Sequence, residues 1–123
     1  MSADIPVTRR ATTVGPVSII QAAPGLSMRH TLPLTVGACP VSANPLSGRV
    51  SVSYVSAGPV LEVVALLALL RDVERTAGAV EPIASDLAAQ CSRALGVPVT
   101  VHLCADVMPG PQALEVTCAA VPR

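Results

Sequence analysis

The sequence contains no tryptophan, no phenylalanine and no lysine, and its single tyrosine is Tyr54. Without a basic run or an aromatic platform, the chain has nothing to follow a nucleic-acid backbone or to stack on bases, so nucleic-acid binding is not expected. Long apolar runs are also missing. The longest, residues 59–70, is interrupted by Glu62 and is shorter than the roughly 20 residues of a membrane span. No charged start followed by an apolar segment and a cleavage site opens the chain, so we expect neither a membrane segment nor a secretory signal.

Cysteine and histidine are both scarce. The four cysteines are Cys39, Cys91, Cys104 and Cys118. They lack the dense spacing of a disulfide scaffold, which favours a reducing cytoplasm as the location of the protein. His102 and Cys104 lie on the same face of a predicted strand, and with His30 or Cys39 they could form a zinc set. The clustered histidines typical of zinc sites are missing, so a structural role is favoured and no metal is predicted.

Charge is low as well: 13% of the residues are charged, 51% are hydrophobic, and the formal net charge is zero. Such an apolar, weakly charged surface indicates that partner subunits cover much of it, so we predict a homo-oligomer. A length of 123 residues corresponds to one domain. We assign residues 1–12 to a mobile N-terminal arm and residues 13–123 to a single domain.

Alternation of apolar and polar residues predicts four strands, at residues 28–36, 50–54, 97–104 and 114–118. Residues 14–20 could add a short strand, and Pro33 indicates that the first long strand is an edge or bulged strand. The sequence Ser-Ala-Gly-Pro at residues 56–59 is expected to end the second strand.

Two helices are predicted between the second and third of these strands. The first covers residues 60–70 and is apolar in nearly every direction, so it should be buried on most sides. The second starts near Pro82 and ends before Gly96. Its predicted core stripe is Ile83, Leu87, Cys91 and Leu95. The chain is therefore expected to form an α+β domain with the order strand, strand, helix, helix, strand, strand.

Cys39 lies where a strand-like segment ends, and an exposed thiol at a turn can act as a nucleophile. The alternative is a small apolar residue that closes a strand. The run that begins at Cys39 resembles the active-site segment C-P-x-T-G-Q-P-D of the 7-cyano-7-deazaguanine reductases, the nitrile-reducing enzymes of queuosine biosynthesis. The identical residues are Cys39, Pro40 and Pro45, and the similar ones are Ser42 for threonine and Asn44 for glutamine.

Two glutamates extend the resemblance over more than half of the chain. Glu62 falls where the family begins its E-S-K-S motif, and Glu81 falls on the glutamate of its F-H-E motif. The resemblance implies the tunnelling fold, in which an antiparallel four-stranded sheet packs its two helices on one face. In that fold, subunits join edge to edge into an oligomeric barrel with sites at subunit interfaces. It implies Cys39 as nucleophile and Glu81 as the acceptor of hydrogen bonds from a purine-like or pterin-like substrate. Further substrate contacts are assigned to Glu62, Ser42 and Asn44.

The departures from the family argue against its reductase reaction. Leu46 occupies the position of the catalytic aspartate and cannot relay protons. The lysine-bearing cofactor motif has become the apolar run that follows Glu62, and Ala79 and Val80 replace the phenylalanine and histidine of the F-H-E motif. We therefore predict no NADPH-dependent reduction and no cofactor.

The sequence thus leaves two interpretations open. We favour a small-molecule biosynthetic enzyme in which Cys39 attacks an electrophilic carbon of a nitrogen heterocycle or related metabolite, in an addition, transfer, cyclisation or elimination. The alternative is a non-catalytic ligand-binding or structural ring whose active site has decayed. Alternatives also remain for single residues: Glu62 and Glu81 could each cap a helix. Arg49 and Arg71 could recognise an anion or pair with nearby carboxylates.

Overall fold

The computed structural model describes residues 11–14, 17–34, 46–77, 79–107 and 112–123. The strands are β1 (Ala11–Val14), β2 (Val17–Leu34), β3 (Leu46–Leu61), β4 (Val99–Val107) and β5 (Gln112–Ala120). The helices are α1 (Val63–Thr76) and α2 (Glu81–Leu95). In chain order the two helices lie between β3 and β4, as predicted.

All strand pairs are antiparallel, and the order across the sheet is β1-β2-β3-β4-β5, the same as in the sequence. Four long strands and two helices in the order β-β-α-α-β-β confirm the predicted α+β architecture. The short strand β1 is a fifth member that pairs with the first four residues of β2. It includes Ala11 and Thr12, which the sequence had placed in an N-terminal arm.

The predicted break at residues 56–59 is wrong, because β3 continues through it to Leu61. Gly58 and Pro59 stay within the strand because the part of β2 that pairs with this region is irregular as well. The β2–β3 register shifts twice there, between Gln21 and Pro24 and between Pro24 and Ser27. Ser56 stabilises this bulged region: its hydroxyl donates to the Ala23 carbonyl at 2.6 Å and accepts from the Leu26 amide at 3.1 Å. The turn-forming residues therefore produce a bulged hairpin rather than a strand end.

Helix α1 starts three residues later than predicted, because Val60 and Leu61 still belong to β3. Its buried residues are Leu66, Leu69, Leu70 and Val73. Burial on most sides was also expected, but within the single chain Val63, Val64 and Leu67 remain exposed at 65%, 71% and 38%. These three residues form an apolar surface on α1, which we call the α1 patch.

The prediction for α2 is confirmed. The helix has Pro82 in its first turn and ends at Gly96, whose left-handed conformation (φ 71°) suits glycine. All four residues of the predicted core stripe are buried. Burial raises the pKa of the Cys91 thiol to about 12, so this cysteine is a packing residue. Neither helix of the described ranges is long and apolar enough to cross a membrane.

The helices cover one face of the sheet and leave the other open. Alternate residues such as Val50 and Val52 on β3, or Val101 and Leu103 on β4, are fully buried on the helix-covered face. The residues between them point to the open face, which is mostly polar and carries serine, threonine, arginine and histidine side chains. An antiparallel sheet with one packed and one solvated face produces this alternation.

Candidate functional site

The predicted nucleophile Cys39 lies outside the described residues, together with Ser42 and Asn44. The two strands that bracket their segment are described: β2 ends at Leu34 and β3 begins at Leu46, and Leu34 pairs with Gly48. We call this end of the sheet, where β2 stops and β3 starts, the hairpin end. Leu46, at the position of the family's aspartate, is the first residue of β3 and pairs with Val107 of β4.

Glu81 belongs to the same end of the molecule. Helix α1 starts where β3 ends, and α2 ends where β4 starts. The turn between the two helices therefore lies at the other end of these strands, which is the hairpin end. Arg71 in the second half of α1 supports this placement, because its Nη1 donates to the Pro33 carbonyl at 3.1 Å. Glu81, the first residue of α2, therefore lies at the end where β2 stops and β3 starts.

The carboxylate of Glu81 is exposed and makes no hydrogen bond or ion pair within the described part of the chain. The interpretation of Glu81 as a helix cap is wrong, because the N-cap of α2 is Val80, which provides no side-chain hydrogen bond. Glu81 instead occupies the first helical turn, where an anion is favoured electrostatically. A free acceptor thus faces solvent at the hairpin end.

Glu62 has a different role: it is the N-cap of α1. Its two carboxylate oxygens accept hydrogen bonds from the amides of Val64 at 3.0 Å and Ala65 at 2.9 Å. These bonds satisfy two of the unpaired amides at the helix start. The capping alternative for Glu62 is confirmed. Because Glu62 and Glu81 lie at opposite ends of the α1 layer, about 20 Å apart by the helix rise, one chain does not bring them together.

A polar network that the sequence did not reveal lies on the helix-covered face. The Tyr54 hydroxyl accepts from the buried Leu61 amide at 2.9 Å and lies 3.0 Å from Nε2 of His30. When the proton of the neutral ring is on Nδ1, the Tyr54 hydroxyl donates to Nε2 of His30 while its oxygen accepts from the Leu61 amide. The two rings stack with centroids 5.8 Å apart.

Burial affects both groups of this network. It lowers the pKa of His30 below the ordinary 6.5 and raises the pKa of Tyr54, an effect that the Leu61 amide partly offsets. A pocket of about 220 Å³ beside His30 is lined mainly by apolar residues of β2 and α1. The network positions the β3–α1 junction, and no signal in the sequence alone pairs a histidine with a tyrosine 24 residues away.

The open face carries a second histidine network. His102 Nδ1 lies 2.9 Å from the Thr117 hydroxyl, and its Nε2 lies 3.2 Å from the Glu115 carboxylate. Because His30 lies on the helix-covered face, a zinc set that joins His30 to His102 and Cys104 is ruled out by the sheet between them. No group of three potential metal ligands occurs in the described ranges.

The two arginines singled out in the sequence differ in their contacts. Arg71 pairs with Glu74 at 3.2 Å, as the second alternative predicted. Arg49, on the open face of β3, has no ion pair or side-chain hydrogen bond with any residue that the structure describes. Of these two arginines, Arg49 is therefore the one without a described charged partner.

Comparison with known proteins gives no assignment: no protein-family model matches the chain, and no curated protein matches it.

Proposed function

We propose that this chain is a cytoplasmic tunnelling-fold enzyme of small-molecule biosynthesis, in which Cys39 attacks an electrophilic carbon of a nitrogen heterocycle or related metabolite held by Glu81. One observation carries the proposal: the free carboxylate of Glu81 lies at the same end of the sheet as Leu34 and Leu46, which bracket the segment of Cys39. A substrate must be held at one end and attacked at the other, and this arrangement suits that requirement.

The architecture supports the tunnelling-fold part of the proposal. Four long antiparallel strands follow one another in sequence order, and two antiparallel helices cover a single face. The edge formed by β5 has no partner strand among the described residues, and β1 covers only the first four residues of β2 on the other side. Edges of this kind favour pairing with further copies. The polar open face would then line the inside of a barrel.

The chemistry follows from the residue types. The Cys39 thiolate forms a carbon–sulfur bond to the electrophilic carbon, and a later step breaks that bond to release the product. An ordinary thiol, with a pKa of roughly 8.5, is only slightly ionised at neutral pH, so the substrate or a neighbouring subunit supplies the activating group. The 7-cyano-7-deazaguanine reductases have archaeal amidinotransferase relatives that share the thiol and lack the NADPH motif. We propose that this chain likewise uses a thiol without NADPH.

The first test of this proposal is the reactivity of the cysteines towards iodoacetamide. We expect Cys39 to label faster than Cys104, which is exposed and serves as a control of ordinary reactivity, while the buried Cys91 stays unlabelled in the folded protein. A deazapurine or pterin should slow the labelling of Cys39 and leave that of Cys104 unchanged. Mass spectrometry of the tryptic peptides measures both rates. Equal rates for Cys39 and Cys104 that no ligand alters would support the non-catalytic ring instead.

Substitutions separate binding from chemistry at the same site. Cys39→Ser should abolish adduct formation and retain ligand binding, whereas Glu81→Gln should weaken binding by about 1.5–3 kcal/mol because a charge-assisted bond becomes neutral. Asp86→Asn, on an exposed position of the same helix, is the matched control and should change neither. Isothermal titration with the ligand that protects Cys39 measures the affinities. Equal losses in Glu81→Gln and Asp86→Asn would contradict the role of Glu81.

A further inference from the structure

Two arginines on the open face of the sheet have no charged partner in the described part of the chain. Arg29 on β2 and Arg49 on β3 are exposed, and neither forms an ion pair or a side-chain hydrogen bond with a residue that the structure describes. On α1, by contrast, Arg71 and Arg75 are paired with Glu74 and Asp72. Both arginines are carried by strands: Arg49 by the central strand β3, and Arg29 by the part of β2 that β1 does not cover.

The strand register places these arginines around a pair of hydroxyl groups. Thr31 on β2 lies opposite Ser51 on β3, Arg29 lies opposite Ser53, and Arg49 lies opposite Pro33. Arg29 and Arg49 are therefore diagonal corners of one block on the open face, with the hydroxyls of Thr31 and Ser51 between them. Their Cα atoms are about 14 Å apart by strand geometry, so both long side chains can lean towards the centre. We call these five polar residues, Arg29, Thr31, Arg49, Ser51 and Ser53, the arginine–hydroxyl block.

Shallow grooves accompany both arginines. One of about 540 Å³ is lined by Arg29, Ser27, Ser53 and Thr100, among others, and one of about 410 Å³ by Arg49, Ser47, Cys104 and Asp106. A ligand larger than a single ion therefore has space on each side of the block.

The described carboxylates of the open face are on β4 and β5, and Asp106 lines the groove beside Arg49 on the side away from Thr31 and Ser51. In the strand register, Asp106 of β4 lies opposite Ser47, two residues from Arg49 towards the hairpin end. The carboxylate of Glu115 on β5 contacts the His102 ring. The Thr31–Ser51 pair is consequently flanked by two positive charges and by no described carboxylate on β2 or β3. The local field favours an anion there.

From this arrangement we propose that the arginine–hydroxyl block binds the phosphate groups of a small phosphorylated metabolite, at a site separate from that of Cys39. A guanidinium group presents its donors in a planar fork that matches phosphate oxygens, and such charge-assisted bonds are roughly twice as strong as neutral ones. The hydroxyls of Thr31 and Ser51 donate to the remaining oxygens. Two arginines at this separation suit two linked phosphate groups better than one. The proposal depends only on described residues and stands independently of the Cys39 chemistry.

The experiment uses inorganic pyrophosphate as the probe, titrated into the full-length protein at constant ionic strength in a calorimeter. We expect wild-type protein to bind pyrophosphate more tightly than orthophosphate or sulfate. Arg29→Gln and Arg49→Gln should each weaken pyrophosphate binding about tenfold, and the double variant should abolish it. Arg93→Gln, which removes an exposed arginine of α2, is the control and should bind as the wild type does. Circular dichroism establishes that all variants are folded.

Four results would overturn the proposal. Wild-type protein could fail to bind pyrophosphate, or the double variant could bind it as well as the wild type does. Arg93→Gln could weaken binding as much as Arg29→Gln, which would indicate a general charge effect. Lastly, Arg29→Gln could reduce the oligomer mass in light scattering and leave the affinity unchanged, which would assign Arg29 to an ion pair between copies. A nucleoside diphosphate that binds more tightly than pyrophosphate through the same arginines would identify an ester as the ligand.

Discussion

At the scale of single residues, the network of His30, Tyr54 and Leu61 links three parts of the chain. The Leu61 amide is buried at the last position of β3, and the Tyr54 hydroxyl is its acceptor. The same hydroxyl directs its proton to His30 only while Nε2 of that ring carries none. Protonation of His30 would place a second donor against the hydroxyl and a charge beside an apolar pocket. The neutral ring is therefore the form that the fold stabilises.

This network predicts a loss of stability in mild acid. Burial lowers the pKa of His30 below 6.5, so between the lowered folded value and 6.5 the unfolded chain binds more protons than the folded chain. The stability is complete above pH 6.5 and should decrease as the pH falls through that window. Urea denaturation at several pH values between 8 and 5 measures this dependence.

Substitution of each histidine provides the control for that prediction. The sequence has two histidines, and His102 lies on the open face. His30→Gln should flatten the decrease below pH 6.5, and His102→Gln should retain it. If His30→Gln leaves the decrease unchanged, this explanation is wrong.

At the scale of helices and strands, Glu62 shows how one side chain fixes the start of α1. The sequence patterns offered two roles for this carboxylate, and the structure engages both of its oxygens in the cap. We predict that Glu62→Ala lowers the free energy of unfolding by about 0.5–2 kcal/mol, because two amides lose their acceptors. Glu81→Ala, which removes a carboxylate without a cap bond, should cost only the smaller helix-dipole contribution.

Chemical denaturation followed by circular dichroism measures both effects. Thr100→Ala on an exposed position of β4 serves as a reference for a substitution far from either helix start. Equal losses in Glu62→Ala and Glu81→Ala would contradict the assigned cap.

The elements show which parts of the fold the sequence could specify. Helix α2 was predicted almost to the residue, because Pro82 and Gly96 mark its ends and its apolar stripe has the helical period. The end of β3 was misplaced, because the turn-forming residues Gly58 and Pro59 face a partner strand that is bulged as well. Local signals of this kind identify an irregularity, and only the register with β2 decides between a turn and a bulge.

The candidate site shows the same division between local and long-range information. The placement of Glu81 at the hairpin end follows from the order of elements, which the sequence did predict. The His30–Tyr54 pair and the arginine–hydroxyl block depend on the β2–β3 register. A shift of one residue in that register would move each side chain to the other face, so the sequence pattern could not assemble either group.

At the scale of the whole molecule, the single chain leaves apolar surface and strand edges that further copies can cover. The α1 patch exposes Val63, Val64 and Leu67, and β5 presents an edge with no partner in the described part of the chain. Apolar patches and open edges on a small domain favour self-association. The proposed barrel accounts for the open strand edges, because β5 of one copy and the uncovered part of β2 of the next would pair.

We therefore predict that the protein is a symmetric oligomer at micromolar concentration, with a mass several times the 12.4 kDa of one chain. Light scattering coupled to size-exclusion chromatography measures this mass. The double variant Val63→Glu with Leu67→Glu should dissociate the assembly, because it places charges in the α1 patch, whereas Ser85→Glu on an exposed position of α2 should not. A wild-type mass near 12.4 kDa would contradict the oligomer and, with it, any site completed by a neighbouring subunit. The phosphate site proposed on the open face would survive that result, because all of its residues belong to one chain.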